Sequence, residues 1–219
     1  MRYRIARAIV WILIRILYTY TGGIRFEGRE NIPKKGGVLV TPNHISDADP
    51  PTVGFALPRP CYFMAKEELF AIRFWGPIIR LLHGFPVKRY SADRAALRYT
   101  EERLKEGEVV VVFPEGKMSE DGKLDELLPG ALLVAQRANV PIVPTILFYT
   151  DILMPYGELK PRRIGRPIIV RFGKPIMMSE LTGDAKGSEA LKIAAVRLRE
   201  IMLELQGYNE GTTQAIGKD

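Results

Sequence analysis

The sequence predicts an α/β fold with a mixed, largely parallel sheet flanked by helices, and three observations carry that reading. Residues 109–113 are consecutive apolar residues, mostly valine, bounded by charge and by Pro114, as in a strand buried on both faces. Residues 142–149 repeat that central-strand pattern. Around these two runs, further short apolar stretches alternate with segments of helical period.

The elements follow in order. Residues 1–20 hold Arg2, Arg4, Arg7 and Arg15 and no acid, so more than half of the net charge of +7 lies there. Wound as a helix, Arg4, Arg7, Trp11, Arg15 and Tyr18 share one stripe. The rest of the circumference is aliphatic: Ile5, Ile9, Val10, Ile12, Leu13, Ile16 and Leu17. Residues 1–22 are therefore expected to form an amphipathic helix suited to the headgroup boundary of an anionic membrane surface. Packing on the protein's own core is the competing reading. A cleaved leader is disfavoured because Arg15 breaks the apolar stretch and no A-x-A site follows.

Beyond Thr21-Gly22-Gly23 the pattern shortens. A strand is predicted at 24–27, a turn region at 28–37, a buried strand at 38–41 and a loop from Pro42. Asp49-Pro50-Pro51 reads as a helix start, since proline is tolerated in a first turn. A strand at 61–64, a helix at 67–82 interrupted near Gly76-Pro77, and a strand at 85–87 come next. Ser91 is the expected N-cap of a helix reaching Lys105 and stopped by Gly107. A helix at 130–138, a turn-rich stretch at 155–167, a strand at 168–172 and an amphipathic helix at 189–205 complete the pattern. The expected organisation is a membrane-associating helix (1–22), one catalytic-sized domain (23–206) and a polar, frayed tail (207–219).

Composition removes several classes of function. With 47% hydrophobic and 26% charged residues in 219, the chain can bury a sizeable core and is not disordered. A single cysteine, Cys61, excludes a disulfide framework, and two histidines exclude a multi-histidine metal site. No G-x-G-x-x-G, P-loop, H-E-x-x-H, C-x-x-C or G-x-S-x-G occurs. No charge-free apolar run is long enough for a clean membrane span. The basic balance leaves nucleic acid or an anionic membrane as polyanionic partners. Without basic-aromatic interleaving in the body of the chain, nucleic acid is not the expected one.

The chemistry concentrates at Asn43-His44-Ile45-Ser46-Asp47-Ala48-Asp49. A histidine at the tip of a buried strand, with a carboxylate five residues on at a helix entry, can form a His–Asp dyad across the turn. The carboxylate holds the tautomer, and the other ring nitrogen then serves as general base. No serine or cysteine is set up as nucleophile, so direct deprotonation of a substrate hydroxyl is the expected use. A loop histidine capping a helix and a mononuclear metal site on His44, Asp47 and Asp49 are the alternatives. His83, at a helix end, reads as structural.

Four ordered blocks make the pattern specific: Asn43-His44 to Asp49, Gly84-Phe85-Pro86-Val87-Lys88-Arg89, Phe113-Pro114-Glu115-Gly116, and Val140-Pro141-Ile142-Val143-Pro144. With Met64-Ala65-Lys66-Glu67-Glu68-Leu69, they resemble the glycerolipid acyltransferase family, in particular 1-acyl-sn-glycerol-3-phosphate acyltransferases of the PlsC type. The resemblance implies acyl transfer from a thioester of coenzyme A or acyl carrier protein to the sn-2 hydroxyl of lysophosphatidic acid, giving phosphatidic acid. It implies no metal and no resident cofactor, the thioester being a co-substrate. Glycerol 3-phosphate or an ornithine lipid is the alternative acceptor, and a non-catalytic lipid-binding module the alternative class. His44 and Asp49 would be catalytic; Lys88, Arg89, Glu115, Gly116 and Lys117 would hold the acceptor. Members often continue the third block with threonine-arginine-serine, where this chain has Lys117-Met118-Ser119. Lys117 is thus the candidate to replace the missing guanidinium. The implied location is the cytoplasmic face of the inner membrane.

Arg89 offers the fork that matches phosphate oxygens. Arg89→Ala should raise the acceptor KM more than it lowers kcat, because a phosphate remote from the reacting hydroxyl is held in ground and transition states alike. An unchanged acceptor KM in steady-state assays would remove Arg89 from the phosphate site.

Overall fold

The computed structural model describes residues 2–73, 75–87, 93–158 and 160–207, with side chains from Ala8 onward except Trp75. In chain order the elements are α1 (Arg2–Thr21), β1 (Ile24–Glu27), β2 (Val38–Pro42), α2 (Asp49–Ala56), β3 (Cys61–Lys66), α3 (Trp75–Leu81), β4 (Gly84–Val87) and α4 (Arg94–Lys105). They continue as β5 (Val109–Val111), α5 (Pro129–Ala138), β6 (Ile142–Phe148), α6 (Thr150–Leu153), β7 (Ile168–Phe172), α7 (Met178–Thr182) and α8 (Gly187–Gln206). The described strands form one sheet in the order β1-β7-β6-β2-β5-β3-β4. All neighbouring pairs are parallel except β6 with β7. The sheet is therefore mixed and largely parallel, as the apolar runs predict.

The period-2 facing of β2 separates two cores. Val38 and Val40 point to one side with Val109 and Val111, against Val53 and Ala56 of α2 and Leu57 just beyond it. Leu39 and Val110 point to the other, against Leu104, Leu132, Leu198 and Met202 of α4, α5 and α8. The topology explains the division. From β2 the chain moves past β5 to β3, whereas from β5 it moves past β2 to β6. Right-handed crossovers running in opposite directions must place their helices on opposite faces.

Several boundaries differ from the sequence expectation. Pro77 fits only a first turn, so the expected helix at 67–82 splits into a 3-10 turn (Glu67–Ala71) and a separate α3. Asp93 caps α4, its Oδ1 accepting from the amides of Ala95 (3.1 Å) and Ala96 (3.0 Å). It takes the place expected of Ser91, which lies outside the described residues. The strand at 109–113 ends at Val111, although the Val112 amide still donates to the Val40 carbonyl (3.0 Å). Two helices of one turn, α6 and α7, lie below the length that periodicity reveals. His83 adopts φ 65 beyond α3 and stacks on Tyr62, a structural role as expected.

The N-terminal helix corrects the expected stripe. Trp11 and Tyr18 turn inward rather than toward solvent. Trp11 meets Phe55 edge-on, and Tyr18 is only 3% exposed, its hydroxyl 2.5 Å from Thr52 Oγ1 on α2. Arg15 stays exposed, so the stripe divides between a docked edge and a free flank. The foot of α1 is also sewn to the chain before β7: the Ile164 amide donates to the Thr21 carbonyl (2.9 Å) and that of Ile168 to Gly23 (3.0 Å). A Cβ at Gly22 would strike the Arg166 carbonyl, which is why glycine stands there. Ile9, Ile12, Leu13 and Ile16 are left more than half exposed. Among the described residues no helix is long and apolar enough to cross a membrane.

Burial pushes the Tyr18 hydroxyl up to about 12. Its unfolded value lies near ~10, so its share of stability is complete below pH ~10 and lost as pH rises toward the folded value. Tyr18→Phe should flatten that alkaline loss and cost about 1 kcal/mol at neutral pH. Tyr18→Ala should cost about 3 kcal/mol or more. Urea unfolding measures both, and equal small losses would show that the foot of α1 is not part of the core.

Candidate active site

Every residue of β2 is buried, and the strand delivers Asn43 and His44 to the C-terminal edge of the parallel strands. Neighbouring β5 delivers Phe113, Pro114 and Glu115 to the same edge. Two loops far apart in sequence thus leave the sheet side by side.

Asp49, the first residue of α2, closes the His44 loop. Its Oδ2 accepts from the amides of Ile45 and Ser46, both at 2.7 Å, and lies 3.0 Å from His44 Nδ1. The carboxylate is fully buried, and its Oδ1 has no partner among the described atoms. Accepting Nδ1–H fixes the tautomer, so Nε2 is the basic nitrogen and lies on the far side of the ring. The dyad expected across H-x-x-x-x-D is formed.

Other contacts hold the imidazole in place. Phe113 stacks on it at 4.2 Å between centroids, and so adds to its core packing a face against the imidazole. The His44 amide donates to Glu115 Oε1 (2.8 Å), and the His44 carbonyl accepts from Ser119 (2.7 Å). Asn43 completes the brace: its Oδ1 accepts from the Leu147 amide (2.7 Å) and its Nδ2 donates to the Leu147 carbonyl (3.3 Å). In the sequence Asn43 stands out only as part of a motif. Its signal is an amide, carrying a donor and an acceptor side by side, where a central strand runs out.

Glu115 and its neighbours stand as follows. The resemblance assigns Glu115 to the acceptor; here the side chain is buried, Oε1 on His44 and Oε2 on the Asp125 amide (2.9 Å). Burial raises its carboxyl above the usual range, against the pull of those two amides. Gly116 turns with φ 71, where a Cβ would collide with Leu128. Lys117 is exposed and pairs with Asp125 Oδ2 at 3.2 Å, beside the same loop. Lys88 and Arg89 follow directly on β4 but lie outside the described residues. Ser46 Oγ is spent on the Met154 carbonyl (2.7 Å) and the Ala48 amide (3.1 Å) and is no nucleophile. Asp47 is exposed, and among the described residues no three His, Cys, Asp or Glu side chains gather as metal ligands.

A family model described as Acyltransferase matches residues 23–147, the stretch that contains both loops. The chain belongs to the acyltransferase family. Among relatives of this acyltransferase, a 1-acyl-sn-glycerol-3-phosphate acyltransferase of Bacillus subtilis is 33% identical over 133 residues, 60% of this chain and 65% of that one. Its counterpart from Streptococcus pneumoniae is 30% identical over 207 residues, 93% of this chain and 72% of that one. The chain thus spans just under two thirds of the first relative and somewhat more of the second. In structure, the acyltransferase resembles PlsC, the 1-acyl-sn-glycerophosphate acyltransferase of Thermotoga maritima. The TM-score is 0.69 at 27% identity, covering 94% of this chain and 84% of that one.

Glu115→Gln should separate bracing from charge. One amide oxygen can serve only one of the two N–H groups, and the new NH₂ faces the other donor. The variant should lose about 1–3 kcal/mol of stability. It should also lower kcat more than it changes KM if the brace sets the height of the imidazole. A fully stable variant with a raised acceptor KM alone would instead make Glu115 a substrate contact.

Proposed function

We propose that this acyltransferase moves a fatty acyl group from a thioester of coenzyme A or acyl carrier protein to the sn-2 hydroxyl of 1-acyl-sn-glycerol 3-phosphate, giving phosphatidic acid. The observation that carries the reading is the His44 Nδ1–Asp49 Oδ2 contact of 3.0 Å with, among the described residues, no serine or cysteine nucleophile beside it. Cys61 sits in the core on the α2 side of the sheet. A dyad without a nucleophile of its own suits direct attack by substrate oxygen, and the curated relatives carry this activity in their names.

In the proposed step, His44 Nε2 takes the hydroxyl proton as the oxygen attacks the thioester carbonyl carbon. Asp49 stabilises the imidazolium as it forms. The tetrahedral oxyanion collapses, the C–S bond breaks, and the imidazolium returns its proton to the leaving thiolate. The products are the ester and a free thiol, with His44 neutral again. Lys88 and Arg89, placed by sequence at the end of β4, are proposed to bind the acceptor phosphate, with Lys117 as their neighbour. Bound acceptor is held by these cations in both ground and transition states, so their work is orientation.

The exposed aliphatic face of α1 is proposed to lie in the bilayer interface on the cytoplasmic side of the inner membrane, where a soluble thioester donor meets a lipid acceptor. Tyr18 and Trp11 seat that helix on α2, whose first residue is Asp49. The anchor and the dyad therefore share one element.

Free-thiol release, assayed with both donor types, should be much faster with 1-acylglycerol 3-phosphate than with glycerol 3-phosphate. His44→Ala should lower kcat by about a hundred-fold or more, and Asp49→Asn by a similar order, with the fold intact by circular dichroism. The opposite acceptor ranking would overturn the substrate assignment. A His44→Ala variant within ten-fold of the parent would overturn the general base, and no thiol release under any condition would leave a lipid-binding module.

A further inference from the structure

A second cationic feature plays no part in the chemistry above. The segment preceding β7 reads Lys160-Pro161-Arg162-Arg163-Ile164-Gly165-Arg166, and it is fastened to the foot of α1 by the backbone bonds from Ile164 and Ile168. Between that segment, the edge strand β1 and α1 lies a cleft of about 480 Å³. Arg15 and Thr19 line it from α1, Arg163 from the loop, and Phe26 and Phe55 form an apolar part of its wall. Arg162 spends its charge on Glu158, and Arg166 lies over the Tyr149 ring. Arg15 and Arg163 make no ion pair among the described residues. Among the described residues no carboxylate lines the cleft.

The placement of these two arginines matters. At 100° per residue, Trp11, Ile14 and Tyr18 define the docked edge of α1, and Ile9, Ile12, Leu13, Ile16 and Tyr20 the outward face. Arg15 and Thr19 stand on the flank between them. A helix that buries its aliphatic face in acyl chains holds such a flank at headgroup depth. The cleft then opens where lipid phosphates lie. Its wall is apolar enough for a glycerol backbone, and its two free guanidinium groups can fork onto phosphate oxygens.

We propose that this cleft binds the phosphate headgroup of an anionic phospholipid of the bilayer, so that the basic 160–166 segment and α1 dock together as one surface. The inference rests on the membrane-associated reading and adds to it a site for lipid charge whose described lining shares no residue with the His44–Asp49 site. Because the backbone bonds from Ile164 and Ile168 join the two elements, the spacing of the two arginine backbones is set before the lipid arrives, and only their side chains remain to be ordered.

Sedimentation with vesicles tests it on the full chain, using phosphatidylglycerol mixed with phosphatidylcholine, or phosphatidylcholine alone. Arg163→Ala should weaken binding to the anionic vesicles roughly five-fold, and Arg15→Ala with Arg163→Ala roughly twenty-five-fold, since each basic residue near such a surface contributes on the order of 1 kcal/mol. Lys192→Ala, an equal loss of charge on exposed α8, should change it far less. On pure phosphatidylcholine the parent and the double variant should bind alike through the aliphatic face. Equal losses from Lys192→Ala and Arg163→Ala would overturn the site. If the parent binds neither vesicle, the membrane reading itself fails. If the parent binds and the double variant binds as well, only the cleft does.

Discussion

Parallel pairing of β2 with β5, in register from Val38↔Val109 to Val40↔Val111, is the constraint on which the site depends. Adjacent parallel strands must release their chains at the same edge, and the two released loops are then close enough to bond. Asn43-His44 leaves one strand and Phe113-Pro114-Glu115 the other. The bond from the His44 amide to Glu115 and the stacking of Phe113 on the imidazole both follow from that adjacency. Were β5 to sit at another place in the sheet, the dyad would keep its hydrogen bond to Asp49 but lose the floor beneath it.

The legible parts of the fold were those with a strong local signal. Valine runs announce central strands, since only burial on both faces favours them, and the His44–Asp49 spacing spans one tight turn, so a local argument suffices. What sequence did not reveal was long-range. Glu115 bonds to an amide 71 positions away, and nothing in the third block says toward which backbone its carboxylate turns. The inward turn of Trp11 and Tyr18 was equally hidden. A stripe of arginine and aromatic residues fits a headgroup layer, but the same rings fit a cavity above Thr52 and Phe55, and periodicity does not distinguish the two. The split at Gly76-Pro77 was visible as an interruption, yet its outcome, a 3-10 turn followed by a new helix, depends on how the chain packs around Phe70.

The helix α1 therefore has two allegiances. Its inward edge packs, through Tyr18, into a small separate cluster with Ala48, Leu153 and Ile168, and its outward face leaves aliphatic side chains exposed. Sewn to α2 and to the chain before β7, the helix cannot shift without moving the element that begins at Asp49 and the strand that pairs with β1 and β6.

The double tie on His44, its amide on Glu115 and its carbonyl on Ser119, has a consequence for the order of events during synthesis. A chain emerges N-terminus first, so α1 and β2 leave the ribosome well before residue 119 does. Through that interval the imidazole has Asp49 but no braced backbone and no stacked ring. The imidazole gains its fixed height only once β5 has paired with β2 and residues 115 and 119 have closed on it, so the site is finished by the later half of the chain.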